Sequence, residues 1–309
     1  MMKRILFIIN PVSGVGKQKI VEKRIKKYLD TTKFSYEIKY TKEAKHAIKI
    51  STEAANKFDI VVAVGGDGSV NEVCKGLINS NSALAIIPTG SGNGLARYLN
   101  IPLKIDKAIE LINQTTIKKI DTAEINNEKF VNVAGIGFDA HVSHIFANYG
   151  KRGPLPYVKI AAEEFPKYRA QKYKISIDGK SVYRKAFLIS FANSSQFGNN
   201  AYISPEAKID DGLIDVCIFK NFPIVESPRL AVMLFDKRLD KSKYMEIVKG
   251  REITITHENS IIAHIDGEPV SFGKEINVKI IPQSLNVIVS EKEFNKDPFY
   301  IKKIKNIFK

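Results

Sequence analysis

Asp59-Ile60-Val61-Val62-Ala63-Val64-Gly65-Gly66-Asp67-Gly68-Ser69-Val70-Asn71-Glu72-Val73 joins an apolar run, three glycines around one carboxylate, and the opening of a helical pattern. Residues 60 to 64 read as a buried strand, because the run is too short for a helix, rich in valine and closed by glycine. Val70, Val73, Cys74 and Leu77 then recur at helical spacing. Gly65, Gly66 and Gly68 permit dihedrals and a backbone approach that a Cβ forbids, so amides at the helix start can face an anion. A carboxylate repels bare phosphate; Asp67 is therefore expected to act through a divalent cation or a protonated donor. A tight turn capped by an Asp is the plainer alternative.

Working outward, Ala83 to Ile87 runs into Pro88-Thr89-Gly90-Ser91-Gly92-Asn93-Gly94 and then Leu95-Ala96-Arg97-Tyr98-Leu99, again strand, glycine turn and helix. Ile5 to Ile9 leads into Asn10-Pro11-Val12-Ser13-Gly14-Val15-Gly16-Lys17. Turns of this kind at the ends of successive strands suit an open parallel sheet, where ligands bind beyond the carboxyl ends. The common nucleotide motifs do not fit. A P-loop needs a glycine where Pro11 stands and Ser or Thr where Gln18 stands, and the dinucleotide fingerprint fails at Asp67 and at Leu95. Lys17 either reaches a phosphate or opens a surface helix.

Up to about residue 120, apolar runs alternate with helix-period segments: Ile20, Val21, Ile25, Tyr28 and Leu29 on one face, Ala44, Ala47, Ile48, Ser51 and Ala55 on another. Beyond it the chain reads mostly as strands: Tyr173–Ile177, Ala186–Ala192, Leu213–Phe219, Glu252–Thr256, Ile261–Ile265, Glu275–Ile280 and Leu285–Val289. A helical insertion is expected over Pro228–Val248. The 309 residues, 44% of them hydrophobic, suffice for two cores. Cys74 and Cys217 fall on segments expected to be buried, which argues against disulfide, metal or nucleophile roles. His141 and His144 share a helical spacing without a zinc-type motif. No run approaches a membrane span or a signal sequence, so a reducing cytoplasmic setting is expected. Lys and Arg outnumber Asp and Glu by 48 to 33, a net charge of +15, which favours polyanions. No aromatic-studded RNA motif or zinc-finger spacing appears, but charge alone does not choose between nucleic acid and an anionic lipid surface. Ile301, Ile304 and Phe308 among Lys302, Lys303, Lys305 and Lys309 have the pattern of a basic interfacial helix.

Taken together, Asn10-Pro11 with Ser13-Gly14, Gly65-Gly66-Asp67-Gly68-Ser69 with Asn71-Glu72, and Pro88-x-Gly90-Ser91-x-Asn93 resemble, in order and spacing, the catalytic domain of the diacylglycerol kinase and sphingosine kinase family in its short bacterial lipid kinase form. The resemblance continues through Asp121, Asn132, Gly135, Gly137-Phe138-Asp139-Ala140, Asp210-Asp211-Gly212-Leu213 and Asp266-Gly267-Glu268. Ser69 stands where threonine is common, and the Gly90-Ser91-Gly92-Asn93 loop is nearer the sphingosine kinase version.

The resemblance implies an α/β plus all-β architecture: an N-terminal parallel-sheet nucleotide-binding domain over 1–121, rejoined by 291–309, and a β-sandwich lipid domain over 122–290, with the active site in the cleft between. It implies ATP on Asn10, Thr41, Gly65, Gly66, Asp67, Gly68, Ser69, Val70, Asn71 and Ser91. Catalytic Mg2+ would be held through water by Asp67, with Asp121 in the same network and Lys159 as a charge partner. Glu268 would be the general base, with Asp266 assisting or only starting the turn; on residues alone a solvated glutamate after a hairpin Asp-Gly turn is the alternative. A structural Mg2+ would take the Asp211 carboxylate and the carbonyls of Lys208 and Leu213; read alone, that stretch is an Asp-Gly turn. The C-terminal helix would pack on the nucleotide domain rather than a membrane. The implied function is ATP-dependent phosphorylation of a lipid hydroxyl, on diacylglycerol or a sphingoid base, by a peripheral enzyme at the inner face of the membrane, with a homodimer left open. Alternatives are a soluble NAD kinase, disfavoured by Asn10-Pro11 and Ser91-x-Asn93, and a non-catalytic binding module.

Overall fold

The computed structural model describes residues 2–12, 18–150 and 153–294. Ser13, Gly14, Lys17 and the basic 298–309 segment lie outside them. The chain divides into two compact units, one of residues up to Ile120 with those from Ser284 onward, the other Asp121–Gln283. The boundaries drawn from sequence fall at 121 and 290.

In the first unit β1 (Lys3–Ile9), α1 (Gln18–Tyr28), β2 (Phe34–Tyr40), α2 (His46–Ala54), β3 (Ile60–Gly65), α3 (Asp67–Leu77), β4 (Ala83–Pro88), α4 (Gly94–Tyr98) and α5 (Ile105–Ile112) follow one another. β1 pairs in parallel with β2 on one edge and β3 on the other, β3 pairs with β4, and β4 pairs with residues 286–287. Leu6, Phe7, Val61, Val62, Ala63 and Leu84 are fully buried. Strands apolar on both faces need cover on both, which the packed pairs α1 with α5 and α2 with α3 supply. The buried face of α2 is Ala47, Ile50, Ser51 and Ala54; Ala44, expected on it, lies before the helix and is exposed. Lys45, in a left-handed conformation, starts the helix at His46, and the Glu72 carboxylate of α3 accepts from Lys45 N and Ala47 N at 2.9 and 3.1 Å. One helix thereby fixes where its neighbour begins.

The second unit contains β5 (Ile117–Ile125, from Asp121 on), β6 (Glu128–Phe130), β7 (Val133–Gly137), α6 (Phe138–Ala147), α7 (Pro154–Glu164), β8 (Gln171–Ile177), β9 (Lys180–Ala192), β10 (Ile214–Lys220), α8 (Ser227–Phe235), β11 (Met245–Gly250), β12 (Glu252–Thr256), β13 (Ile261–Ile265), β14 (Glu268–Phe272) and most of β15 (Glu275–Ile288). Pairing within it is antiparallel. β9 is long enough to serve two partners on one edge, β8 through residues 180–186 and β7 through 188–192, while 186–192 hold β10 on the other. Two apolar clusters form, one around Phe130, Ile175, Ile189, Phe191 and Ile276, the other around Phe187, Cys217, Phe219, Leu230 and Met245.

Two expectations change here. The insertion over 228–248 is α-helical only through Phe235, with a single 3-10 turn at Leu239–Lys241; Met245–Gly250 is strand β11, because its residues find ladder partners on β10. Residues 138–164, which precede the first strand expected in this half, hold the helices α6 and α7. The two strands expected on either side of Pro282 are one, β15, which passes a left-handed residue at Gln283.

Across β9, β10 and β11, the Arg184 guanidinium donates to both Glu246 oxygens at 2.9 and 3.0 Å, and Lys220 stands 3.2 Å away. The Arg184 hydrogen bond, aided by Lys220, holds the Glu246 carboxyl below its ordinary range. A lowered acid pKa contributes stability that is complete above the unfolded value, about 4.3 for glutamate, and is lost as pH falls through the folded one. Glu246→Gln is expected to remove about 1 kcal/mol at neutral pH and to flatten urea-unfolding stability against pH below that value.

Candidate active site

The first unit's turns all leave the carboxyl ends of its parallel strands. Asn10 follows β1, Thr41 follows β2, Gly66 follows β3 and Thr89 follows β4. β1 sends the chain to β2 on one side, and β3 returns on the other, so the strand order reverses at β1 and β3. Across that point Asn10 Nδ2 donates to Ser69 Oγ at 3.0 Å. α3 begins at Asp67 with no side chain capping it, its N-terminus formed by Gly66, Asp67, Gly68 and Ser69, an arrangement suited to phosphate oxygens. Thr41, Val70 and Asn71 are buried, whereas Ser91 is exposed.

The Asp67 carboxylate ties two glycine turns together. Its oxygens accept from Asn93 N at 2.8 Å and Gly94 N at 2.6 Å, the backbone amides that open α4. Asp67 thereby fixes the backbone of the second turn. None of Gly65, Gly66, Gly68, Gly90 or Gly92 has a positive φ. Space, not dihedral freedom, explains the three whose surroundings are crowded: a Cβ would lie 2.3 Å from Ser69 at Gly65, 2.5 Å from Gly66 Cα at Gly90 and 2.5 Å from Asp67 Oδ2 at Gly92. The left-handed residue of the second turn is Asn93, φ 52°, whose side chain donates to Gly90 O at 2.8 Å. Gly90→Ala drives a methyl into backbone and is expected to cost about 1–3 kcal/mol by overpacking, read as a lower urea midpoint.

Within the second unit, Asp121 is 1% exposed; its oxygens accept from Gly212 N and Gln283 N, each at 2.7 Å. Burial pushes its carboxyl above the ordinary range against these two amides, and the charges of Asp210 and Asp211 push the same way. Asp211 accepts from Leu213 N at 3.2 Å and from Lys249 Nζ at 3.1 Å; Lys249 also reaches Asp215 at 2.9 Å. Burial works to lower the Lys249 pKa, but Asp215 and Asp211 together hold it above the usual lysine value. Asp211 and Asp215 share this one ammonium, and Asp121 feels the charges of Asp210 and Asp211, so the local surplus of carboxylate oxygens is of the kind a hard cation takes. Among the described residues no group of three His, Cys, Asp or Glu side chains forms a ready metal cluster.

Asp266 and Gly267, φ 48° and 89°, make the two-residue turn joining β13 to β14, with Ile265 opposite Glu268. Glu268 opens β14 and is exposed. Asp266 does more than start the turn: its carboxylate accepts from Val131, Asn132 and Val133 amides at 3.0, 2.9 and 2.9 Å. Lys159 is an exposed residue of α7 lying 3.7 Å from Glu163. Cys74 and Cys217 are buried free thiols, and burial pushes Cys217 well up.

Sequence reasoning missed a buried polar pair under the turn. His264 Nε2 lies 3.1 Å from Asp139 Oδ2, with Ser190 Oγ at 3.3 Å from the same oxygen. A carboxylate only accepts, so Nε2 carries the proton and Nδ1 accepts from Gly267 N at 3.4 Å. Gly135 leaves the room: a Cβ there would sit 2.6 Å from Asp139 and 2.8 Å from His264. Period-two alternation gave no signal, since it puts His264 on the face opposite Ala263 and Ile265, beside Ile262, which is 43% exposed. His141 Nε2 meets Glu164 Oε2 at 2.9 Å, an acid that lies on the next helix and is invisible from local spacing.

A parallel sheet with glycine turns at its carboxyl ends, followed by an antiparallel sandwich, defines a kinase architecture, and comparison with known proteins agrees. Residues 4–125 match the diacylglycerol kinase catalytic domain, and residues 132–289 match the YegS C-terminal NAD kinase beta sandwich-like domain. The chain belongs to the diacylglycerol kinase catalytic-domain family, in its bacterial form with that second domain. A diacylglycerol kinase of Bacillus subtilis is 28% identical over 276 residues, 86% of this chain and 90% of the relative. One from Staphylococcus aureus (strain JH9) is 28% identical over 314 residues, 96% of this chain and 97% of the relative. A solved Bacillus anthracis structure, provisionally assigned as a diacylglycerol kinase, is 26% identical with a TM-score of 0.78, covering 94% of this chain and 98% of its own. An NAD kinase from Archaeoglobus fulgidus, solved in complex with ATP, shares the fold at 14% identity, a TM-score of 0.52 and coverage of 97% and 98%. No helix among the described residues is long and apolar enough to cross a membrane.

Proposed function

We propose that this kinase moves the γ-phosphoryl group of ATP to a hydroxyl of a membrane lipid, diacylglycerol or a sphingoid base. The observation that carries the reading is the joining of two glycine turns by the Asp67 carboxylate at the carboxyl ends of β3 and β4. Phosphate oxygens would take amides from Gly66, Gly68 and Ser69 at the start of α3 and polar side chains from Asn10, Thr41, Ser69 and Ser91, with Gly65, Val70 and Asn71 shaping the turn, the Val70 amide being held by Gly66 O. Asp67, which accepts from two amides, would also hold a water on a cation, and Asp121 would be a second catalytic acid. Asp211 and the carbonyls of Lys208 and Leu213 would hold a second, structural Mg2+. When bound, the cation neutralises the charge on the transferring phosphate.

Glu268 would accept the lipid hydroxyl's proton on a carboxylate oxygen as that hydroxyl's oxygen bonds to phosphorus and the bond to ADP breaks. Its place at the exposed head of β14 supports access to a bulky acceptor. His264 would act as a positioning residue, since its Nδ1 holds the amide next to Glu268. His264→Leu is expected to lower kcat about tenfold with the KM for ATP unchanged, and His264→Gln, which keeps an N–H for Asp139, to recover part of it.

The test is transfer from labelled ATP, with Mg2+, to a panel of hydroxylated lipids in mixed micelles and to NAD. Labelling of one lipid class is expected. Transfer to NAD alone, or nucleotide binding without transfer to any lipid, overturns the proposal.

A further inference from the structure

A helix half-exposed on a protein surface keeps its apolar residues on one side. The turn Ile224–Glu226 and α8 after it do not. Leu230 is 5% exposed, with Met233 and Leu234 half-buried against the second cluster. On the opposite arc Ile224 is 62%, Val225 81%, Val232 57% and Phe235 54% exposed, and Pro228 and Ala231 between them are exposed as well. Residues 225, 228, 232 and 235 follow one another along one side of a helix, so these are a continuous stripe rather than scattered exposures.

What covers it follows from the rim. Lys220 being paired with Glu246, residues 221 to 243 carry Arg229, Lys237, Arg238, Lys241 and Lys243 against Glu226, Asp236 and Asp240, a surplus of two positive charges in a chain of net +15. Arg229 and Arg238, paired with Glu226 at 3.5 Å and Asp236 at 2.8 Å, keep their side chains 70% and 56% exposed, and in this stretch Lys237, Lys241 and Lys243 are matched only by Asp240. A second copy of the chain would set this cationic rim against itself in an isologous contact. An anionic bilayer offers the complement: acyl chains for the stripe and phosphates for the rim. We infer that the face of residues 224–235 seats this protein on an anionic lipid surface. The inference deepens the lipid-kinase reading by naming the docking face, yet its first readout needs no catalysis.

The chain has no tryptophan, so Phe235→Trp makes a single fluorescent reporter of the stripe. With vesicles of phosphatidylglycerol and phosphatidylcholine its emission is expected to shift blue and to be quenched by brominated acyl chains, with neither change on phosphatidylcholine alone. The full-length Val225→Glu/Phe235→Glu double variant, both sites being exposed, is expected to keep its circular dichroism and lose about 100-fold in vesicle binding. It should also lose transfer to vesicle-borne diacylglycerol while keeping transfer to a short-chain soluble one. Vesicle binding with an unshifted reporter, as docking through the basic 301–309 segment would give, overturns the inference. So does equal binding to neutral vesicles, or a dimer that the double variant splits while vesicle binding stays. A shifted reporter with no phosphotransfer by the wild type would instead sink the kinase reading and leave the docking face standing.

Discussion

Glu268→Gln is expected to lower kcat about a hundredfold to ten-thousandfold, the range that removing a positioned general base costs. The amide is nearly isosteric and accepts a hydrogen bond, but it cannot take up the proton that the lipid hydroxyl must shed. Glu268 opens an edge of the β13–β14 hairpin and is exposed, so the substitution should leave the fold as it is. Nucleotide affinity, measured by calorimetry, should be unchanged, because the turns expected to hold phosphate belong to the other unit. Retained turnover would remove Glu268 from its role.

Asp266→Ala should be the most destabilising single change near the site. One carboxylate holds three successive amides, those of Val131, Asn132 and Val133, and all three lose their acceptor together. Hydrogen bonds to a charged group contribute about 1.5–3 kcal/mol each, and water entering the vacated space recovers some, so a net loss of about 3 kcal/mol is expected. Alanine is also a poorer residue than aspartate for the left-handed first position of this turn. A melting temperature lowered by about 6–12 °C checks the magnitude. Turnover should fall as well, since Glu268 is carried two residues along the same turn. Asp266→Asn, keeping one acceptor oxygen, should fall between wild type and alanine.

The parts of the fold legible in sequence are those whose cause is local. The run 60–64 with its glycines is read correctly as strand, turn and helix, and Glu252–Thr256 and Ile261–Ile265 match β12 and β13 residue for residue. What was misread depends on partners distant in the chain. Met245–Gly250 begins inside the helical insertion expected from sequence and becomes a strand only because β10 lies beside it. Pro282 looks like a break, but Gln283 takes up the bend in a left-handed conformation while Asp121, far upstream, accepts its amide hydrogen. The candidate site divides in the same way. Its glycines and Asp67 stand out as a motif, whereas the acceptance of the Asn93 and Gly94 amides by Asp67, and the burial of His264 against Asp139, follow from folding alone.

The strand beside β4 has a consequence for biosynthesis. Residues 286–287 complete the edge of the first unit's sheet, yet the ribosome makes them after the whole of Asp121–Gln283. During translation β4 therefore shows an open, wholly apolar margin, the kind that recruits stray strands. The half of the molecule that is synthesised first is the half that matures last, and a chaperone shielding that margin would act in the interval.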